Sequence, residues 1–139
     1  MSIESWAERV GYEPFEFGRV SFKTYGDLIA LSKKFDKTGK SVRIDVSDFG
    51  GPTSRKIGDR LRKEFSKNSF KLDGVNGMDG GPGEGIMVFA ENLEDLIPVE
   101  NLLIDLGLER HIHELKPELR HKGYGLQIFI SHTPLLFKR

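Results

Sequence analysis

VSFKTYGDLIALSKKFDKTGKSVRI, residues 20–44, is echoed at a constant offset of 68 by VFAENLEDLIPVENLLIDLGLERHI, residues 88–112. Val20, Asp27, Leu28, Ile29, Gly39 and Ile44 recur as Val88, Asp95, Leu96, Ile97, Gly107 and Ile112, and Thr24 is matched by Asn92, another good helix cap. Six identities in 25 positions arise by chance when every offset is open. The match carries weight because structurally distinct roles coincide. Each copy reads as strand, cap, helix, glycine stop, strand, so the pattern predicts a βαβ unit written twice.

The surrounding sequence fills in around this pair. Ile3, Trp6, Ala7 and Val10 recur at i, i+3, i+4 and i+7, which predicts a first helix over Ser2 to Val10 ended by Gly11. Phe15, Phe17, Val20 and Phe22 read as a strand with a slip at Gly18. Thr24 with Asp27 resembles a capping box, and apolar positions continue at helical spacing toward Gly39. Over Ser41 to Ser47, Val42, Ile44 and Val46 alternate with Arg43 and Asp45, the pattern of a half-buried strand.

An insertion follows the first copy. Ile57, Leu61 and Phe65 make Ser54 to Lys67 an amphipathic helix capped by Thr53 or Ser54. Between Leu72 and Gly85 six glycines and Pro82 predict a long loop. The second copy opens on the apolar run Ile86 to Ala90, as in a strand buried on both faces. Its helix spans Asn92 to Leu106, where Pro98 is expected to kink or restart it. Residues 109–115 have mixed periodicity and are assigned to a strand from the echo; Tyr124 to Ser131 is a clearer strand, and Leu135 to Phe137 a short edge.

Two such units in one small sheet predict an α+β fold, a ferredoxin-like sandwich with an extra N-terminal helix, an inserted amphipathic helix and a C-terminal strand. An open doubly wound sheet is the alternative. Clean alternation in the strands beginning at 41 and 124 favours the sandwich, because strands covered on both faces seldom alternate. At 139 residues a single α+β domain over 1–139 is expected, large enough to bury roughly two thirds of its unfolded surface.

With 37% apolar and 30% charged residues the composition is that of a globular chain. Lys plus Arg equals Asp plus Glu, so no overall field draws it to nucleic acid or anionic lipid; a nucleic-acid partner is not expected, and one would need a local patch. The chain is cysteine-free, which excludes disulfides, thiolate catalysis and thiolate-bound metals. Neither a signal peptide's apolar stretch nor a run of 18 apolar residues occurs, so no membrane association and a cytoplasmic location are expected.

Four features carry candidate chemistry. The turn Gly50-Gly51-Pro52-Thr53-Ser54-Arg55-Lys56 leads from a strand end into a helix N-terminus, where free amides, the helix dipole and two cations suit an anion. It lacks the spacing of a Walker loop or dinucleotide fingerprint, and a capped helix after a tight turn accounts for it equally. Residues 54–67 carry Arg55, Lys56, Arg60, Arg62, Lys63 and Lys67 against Asp59 and Glu64, a basic stripe without interleaved exposed aromatics. Residues 91–118 are the acidic counterpart: Glu91, Glu94, Asp95, Glu100, Asp105, Glu109, Glu114 and Glu118 against Arg110 and Lys116. Finally, His111 and His113 on a strand would share a face with Glu109, with His121 in reach across a hairpin. That spacing is of low specificity, so neither a metal nor a cofactor is expected, and no catalytic residue is assigned.

The resulting expectation is a small binding protein of inhibitor, immunity or regulatory type that meets a protein partner, possibly a cationic one, through Glu91, Glu94, Asp95, Glu100, Asp105, Glu109 and Glu114. The alternative is an enzyme or sensor for a phosphorylated small molecule or nucleotide held by Gly50, Gly51, Ser54, Arg55 and Lys56. Pairing into a homodimer is compatible with either.

Overall fold

In a computed structural model the protein is described over residues 13–47, 51–78, 84–119, 122–132 and 137–138. The predicted N-terminal helix over Ser2 to Val10 lies outside these residues. Ser21 opens the first described helix, α1 (Phe22–Thr38): its hydroxyl accepts from the Thr24 amide at 3.2 Å. The cap is therefore Ser21, one turn before the predicted Thr24. Gly39 ends α1 in the left-handed region with φ +68°, and the Lys40 amide returns to the Phe35 carbonyl, the closure expected of a glycine stop.

Strand β1 (Glu13–Pro14) pairs antiparallel with β8 (Phe137–Lys138), a two-stranded ribbon apart from the main sheet. Residues 15–21 form no strand, which corrects the predicted first strand of copy one. Val20 is nonetheless buried in the same core as Val88, so its apolar role survives without a sheet partner. The main sheet holds β2 (Ser41–Ser47), β3 (Leu72–Asp73), β4 (Asn76–Met78), β5 (Ile86–Ala90), β6 (Ile112–Lys116) and β7 (Tyr124–Ile130). Its order is β3-β2-β7-β5-β6, with β4 beside β2 beyond β3. Strands β2, β3, β4 and β7 run one way and β5 and β6 the other.

Two crossovers build this sheet. Helix α2 (Gly51–Lys67) joins β2 to its parallel neighbours β3 and β4, and α3 (Leu93–Asp105) joins β5 to its parallel neighbour β6. The fold is thus α+β with a mixed sheet. A ferredoxin-like sheet interleaves its two units in an all-antiparallel order; here each unit keeps its own strands adjacent and parallel, and β7 is inserted between the units. The ferredoxin-like arrangement is corrected accordingly. The echo matches α1 to α3 but mistakes which helix makes the first crossover, because no strand of the main sheet precedes α1 among the described residues.

The glycine tract also departs from the expected long loop. Its first half supplies β3 and β4, and Gly74, at φ +120°, lies so close to β2 that a Cβ there would sit 2.0 Å from the Ile44 carbonyl oxygen. Only glycine allows the backbone that approach. The 109–115 segment is a single 3₁₀ turn at Glu109–His111 followed by β6, with Gly107 and the Leu108 amide closing α3 before it. Pro98 leaves α3 unbroken.

The three described α-helices cover one face of the sheet. Leu28, Leu31 and Phe35 of α1, Ile57, Leu61 and Phe65 of α2, and Leu96, Val99, Leu102 and Leu103 of α3 meet alternate residues of β2, β5 and β7. Each buried leucine of this layer contributes about 2–5 kcal/mol measured as truncation to alanine. On the opposite face Met87, Phe89 and Phe129 form a second buried cluster.

Candidate functional site

Helix α3 has apolar residues on two sides. Leu96, Val99, Leu102, Leu103 and Leu106 face the core, whereas Leu93, Ile97 and Ile104 are 65%, 57% and 39% exposed. At i, i+4 and i+11 the latter three share one ridge turned away from the sheet. Glu100 lies within this ridge; Glu94 and the exposed Glu109 flank it.

The structure divides the acidic segment in two. Lys34 of α1 donates to the buried Asp95 at 2.7 Å and meets Glu94 at 3.5 Å, and Lys40 pairs with Glu91. Its bond to Asp95 keeps the Lys34 ammonium protonated to higher pH than usual. Asp105 accepts from the Ser21 amide at 3.0 Å and the Thr24 hydroxyl at 2.7 Å, bonds that hold its carboxyl below the ordinary carboxylate range. Asp95 and Asp105 tie α3 to the start and middle of α1, and Glu91 joins the turn before α3 to the turn after α1. Glu114 pairs with Lys116 at 2.6 Å on β6. Glu100 and Glu109 have no ion pair among the described residues and, with the outward Glu94, leave a smaller acidic rim around the ridge than the sequence implies.

At the start of α2, Gly51 has φ +67° and Arg55 and Lys56 are exposed, while Gly50 falls outside the described residues. Ser54 is buried and its hydroxyl donates to the Ser131 carbonyl at 2.5 Å. The hydroxyl of the expected anion site is thus directed into the fold.

Along α2, Arg62 is committed to the sheet edge, bonding the Ile44 carbonyl at 3.0 Å and Asn76 at 2.7 Å. Lys56, Arg60, Lys63 and Lys67, at i, i+4, i+7 and i+11, form a ridge on the flank nearest α1. Two aromatic side chains from outside the helix adjoin it. Phe17 lies under Arg60 at 5.2 Å and Lys56 at 6.0 Å, and Tyr25 lies under Lys67 at 4.9 Å. The acid within the ridge, Glu64, is buried and bonded by Arg60 and Tyr25.

The sheet face away from the helices carries a polar row set by register: Asp73, Arg43, Gln127, Phe89 and Lys116 lie side by side across five strands. Arg43 donates to the buried Asp45 at 2.8 Å, whose other oxygen accepts from the Val75 amide at 3.1 Å. Tyr124 donates to Asp73 at 2.6 Å and accepts from Arg43 at 3.4 Å. The Asp45 bond raises the Arg43 pKa, and the Tyr124 bond lowers that of Asp73. Together these bonds fasten residues 73–75 to β2, a bracing role. Gln127 is buried, and its Oε1 has no partner among the described residues.

The histidines are not assembled. His111 is half-buried in the 3₁₀ turn, where desolvation lowers its pKa, and His113 is exposed on β6. His121 lies outside the described residues, among which no group of three His, Asp or Glu is placed to hold a metal. No described helix is long and apolar enough to cross a membrane.

No protein-family model, no curated protein and no solved structure matches this chain. The site reading therefore rests on geometry. Sequence reasoning passed over the outer ridge of α3, although its spacing of i, i+4 and i+11 was readable, because one apolar stripe already satisfied the helix. The aromatic neighbours of α2 had no local signal, since Phe17 and Tyr25 are some 40 residues away along the chain.

Proposed function

We propose that the protein is a small binding protein of inhibitor, immunity or regulatory type, engaging a cationic protein partner through the outer ridge of α3. One observation carries this reading: Leu93, Ile97 and Ile104 expose large apolar surface on one ridge of an acidic helix. Apolar patches bordered by charge are the usual anatomy of a protein interface, with affinity concentrated in the apolar centre. Glu94, Glu100 and Glu109 supply the negative border, which selects and steers a positively charged partner. A cytoplasmic setting belongs to the same reading, supported by a sequence that requires no oxidation.

The test compares wild type with Ile97→Asp, an exposed change expected to move stability by less than about 0.5 kcal/mol. A partner captured at low salt, identified and purified, should bind wild type and lose at least about tenfold with Ile97→Asp. Glu100→Lys should slow association and flatten its salt dependence. Equal binding by wild type and Ile97→Asp would remove the α3 ridge from the interface. Loss of self-association in Ile97→Asp, seen by sedimentation, would make the occupant a second copy.

A further inference from the structure

The cationic ridge of α2, the half-buried Phe17 and Tyr25 beside it and the exposed Phe22 make a second surface, distinct from the α3 ridge. We infer that the flank of α2 nearest α1 binds single-stranded nucleic acid, with Lys56, Arg60, Lys63 and Lys67 meeting phosphates and Phe22 offering a ring for base stacking. The four cations span twelve helical residues, about 16 Å of positive edge. Lys56 and Lys63 have no acid partner among the described residues, and Arg60 engages buried Glu64 through Nε alone. The remaining acid of the helix surface, Asp59, pairs with Arg62 on the other flank.

Charge alone fits an acidic protein or an anionic membrane equally well. The aromatics distinguish them. Phe22, in the first turn of α1 three residues before Tyr25, is 93% exposed. Tyr25 and Phe17 already lie against the cations. Basic ridges interleaved with aromatic faces are how proteins bind unpaired bases, because every base has a π-face and every nucleotide a phosphate. The neutral net charge does not oppose this, since counterion release depends on local contacts. The sequence alone argues against nucleic acid because its charges balance and no exposed aromatic interleaves with 54–67 along the chain; the fold brings Phe17 and Tyr25 there.

The experiment is fluorescence anisotropy with a labelled twelve-nucleotide oligouridine on the full chain, alongside a duplex of equal length, polyglutamate and phosphatidylserine vesicles. Wild type should bind the single strand in preference to all three. Its log affinity should fall against log salt with a slope of about −2 to −3, roughly −0.7 per phosphate engaged. Phe22→Ala should weaken binding on the order of tenfold at unchanged slope, whereas Lys63→Ala should reduce the slope by about one contact. Both positions are exposed, and circular dichroism with urea unfolding checks that both variants fold as wild type does. Absence of oligouridine binding at low salt, equal affinity for polyglutamate or vesicles, or indifference to Phe22→Ala would each overturn the proposal. Ile97→Asp should leave oligouridine binding unchanged, which separates this surface from that of α3.

Discussion

Helices α2 and α3 occupy equivalent places, each crossing between adjacent parallel strands of one sheet, yet their outer surfaces share almost nothing. α2 is cationic outside, and its Arg62 reaches the edge of β2. α3 is acidic, with a second apolar ridge left in solvent. The inner faces explain why both serve the fold: Phe65 and Leu102 are fully buried in one continuous core. Burial requires only a stripe about 100° wide, so the remaining surface of each helix is free to carry different charge and different contacts. Equivalence in the fold thus says little about equivalence in work.

The comparison breaks if the two inner faces are unequal. Phe65→Ala, which also removes an edge-to-face contact with Phe70 at 5.1 Å, should cost about 3–5 kcal/mol, and Leu102→Ala about 2–5 kcal/mol, by urea unfolding. A loss below about 1 kcal/mol for either would show that its helix is peripheral. The sheet edges should differ more sharply. Asp45→Ala strands Arg43 and the Val75 amide and should cost about 3 kcal/mol, whereas Glu114→Ala, which breaks a partly exposed pair on the β6 edge, should stay within about 1 kcal/mol. Equal costs would remove the distinction between a braced and an unbraced edge.

Smaller effects test the tie between α1 and α3. Asp105→Ala should cost about 1–2 kcal/mol, since it removes the acceptor for the Ser21 amide and Thr24 hydroxyl. Because the folded-state pKa of Asp105 lies below its ordinary 3.8, this advantage is present in full above that value. It is lost as pH falls through the lower folded value. Stability curves of wild type and variant should therefore converge in acid, and parallel curves would deny the carboxylate its role. The smallest effect belongs to His111. Its folded pKa is depressed by burial, so the unfolded chain takes up the proton first and stability declines as pH drops below about 6.5. His111→Gln should remove that shallow slope without altering the neutral-pH value.

Much of the fold was legible locally. Gly39 and Gly107 both end helices at positive φ, Leu28 and Leu96 are both buried, and β2, β5 and β7 begin and end within a residue of their expected bounds. What failed depended on pairing. Residues 15–21 have strand-like spacing but no strand beside them, only single bonds to the end of α3 such as the Gly18 amide to the Leu106 carbonyl, while the glycine-rich 72–78 has a partner strand in β2 and becomes two strands. Spacing reports which side chains can share a face; it does not report whether an edge is there to receive them. The candidate surfaces follow the same division. The acidic segment was visible as composition, but its partition into ties such as Lys34 to Asp95 and a free rim around Ile97 required α1 to be placed beside α3.

The amino-acid order by itself determined where α1 and α3 stop, which stripes are buried and where opposite charges collect, because these follow from backbone preference and hydrophobic period within a few turns. The tertiary structure decided that each crossover keeps adjacent parallel strands, that Asp95 and Asp105 serve the fold, and that Phe17 and Tyr25 stand beside the cations of α2. Those are contacts between residues 26 to 81 positions apart, and they form only when burial of the shared core selects one packing of helices on the sheet.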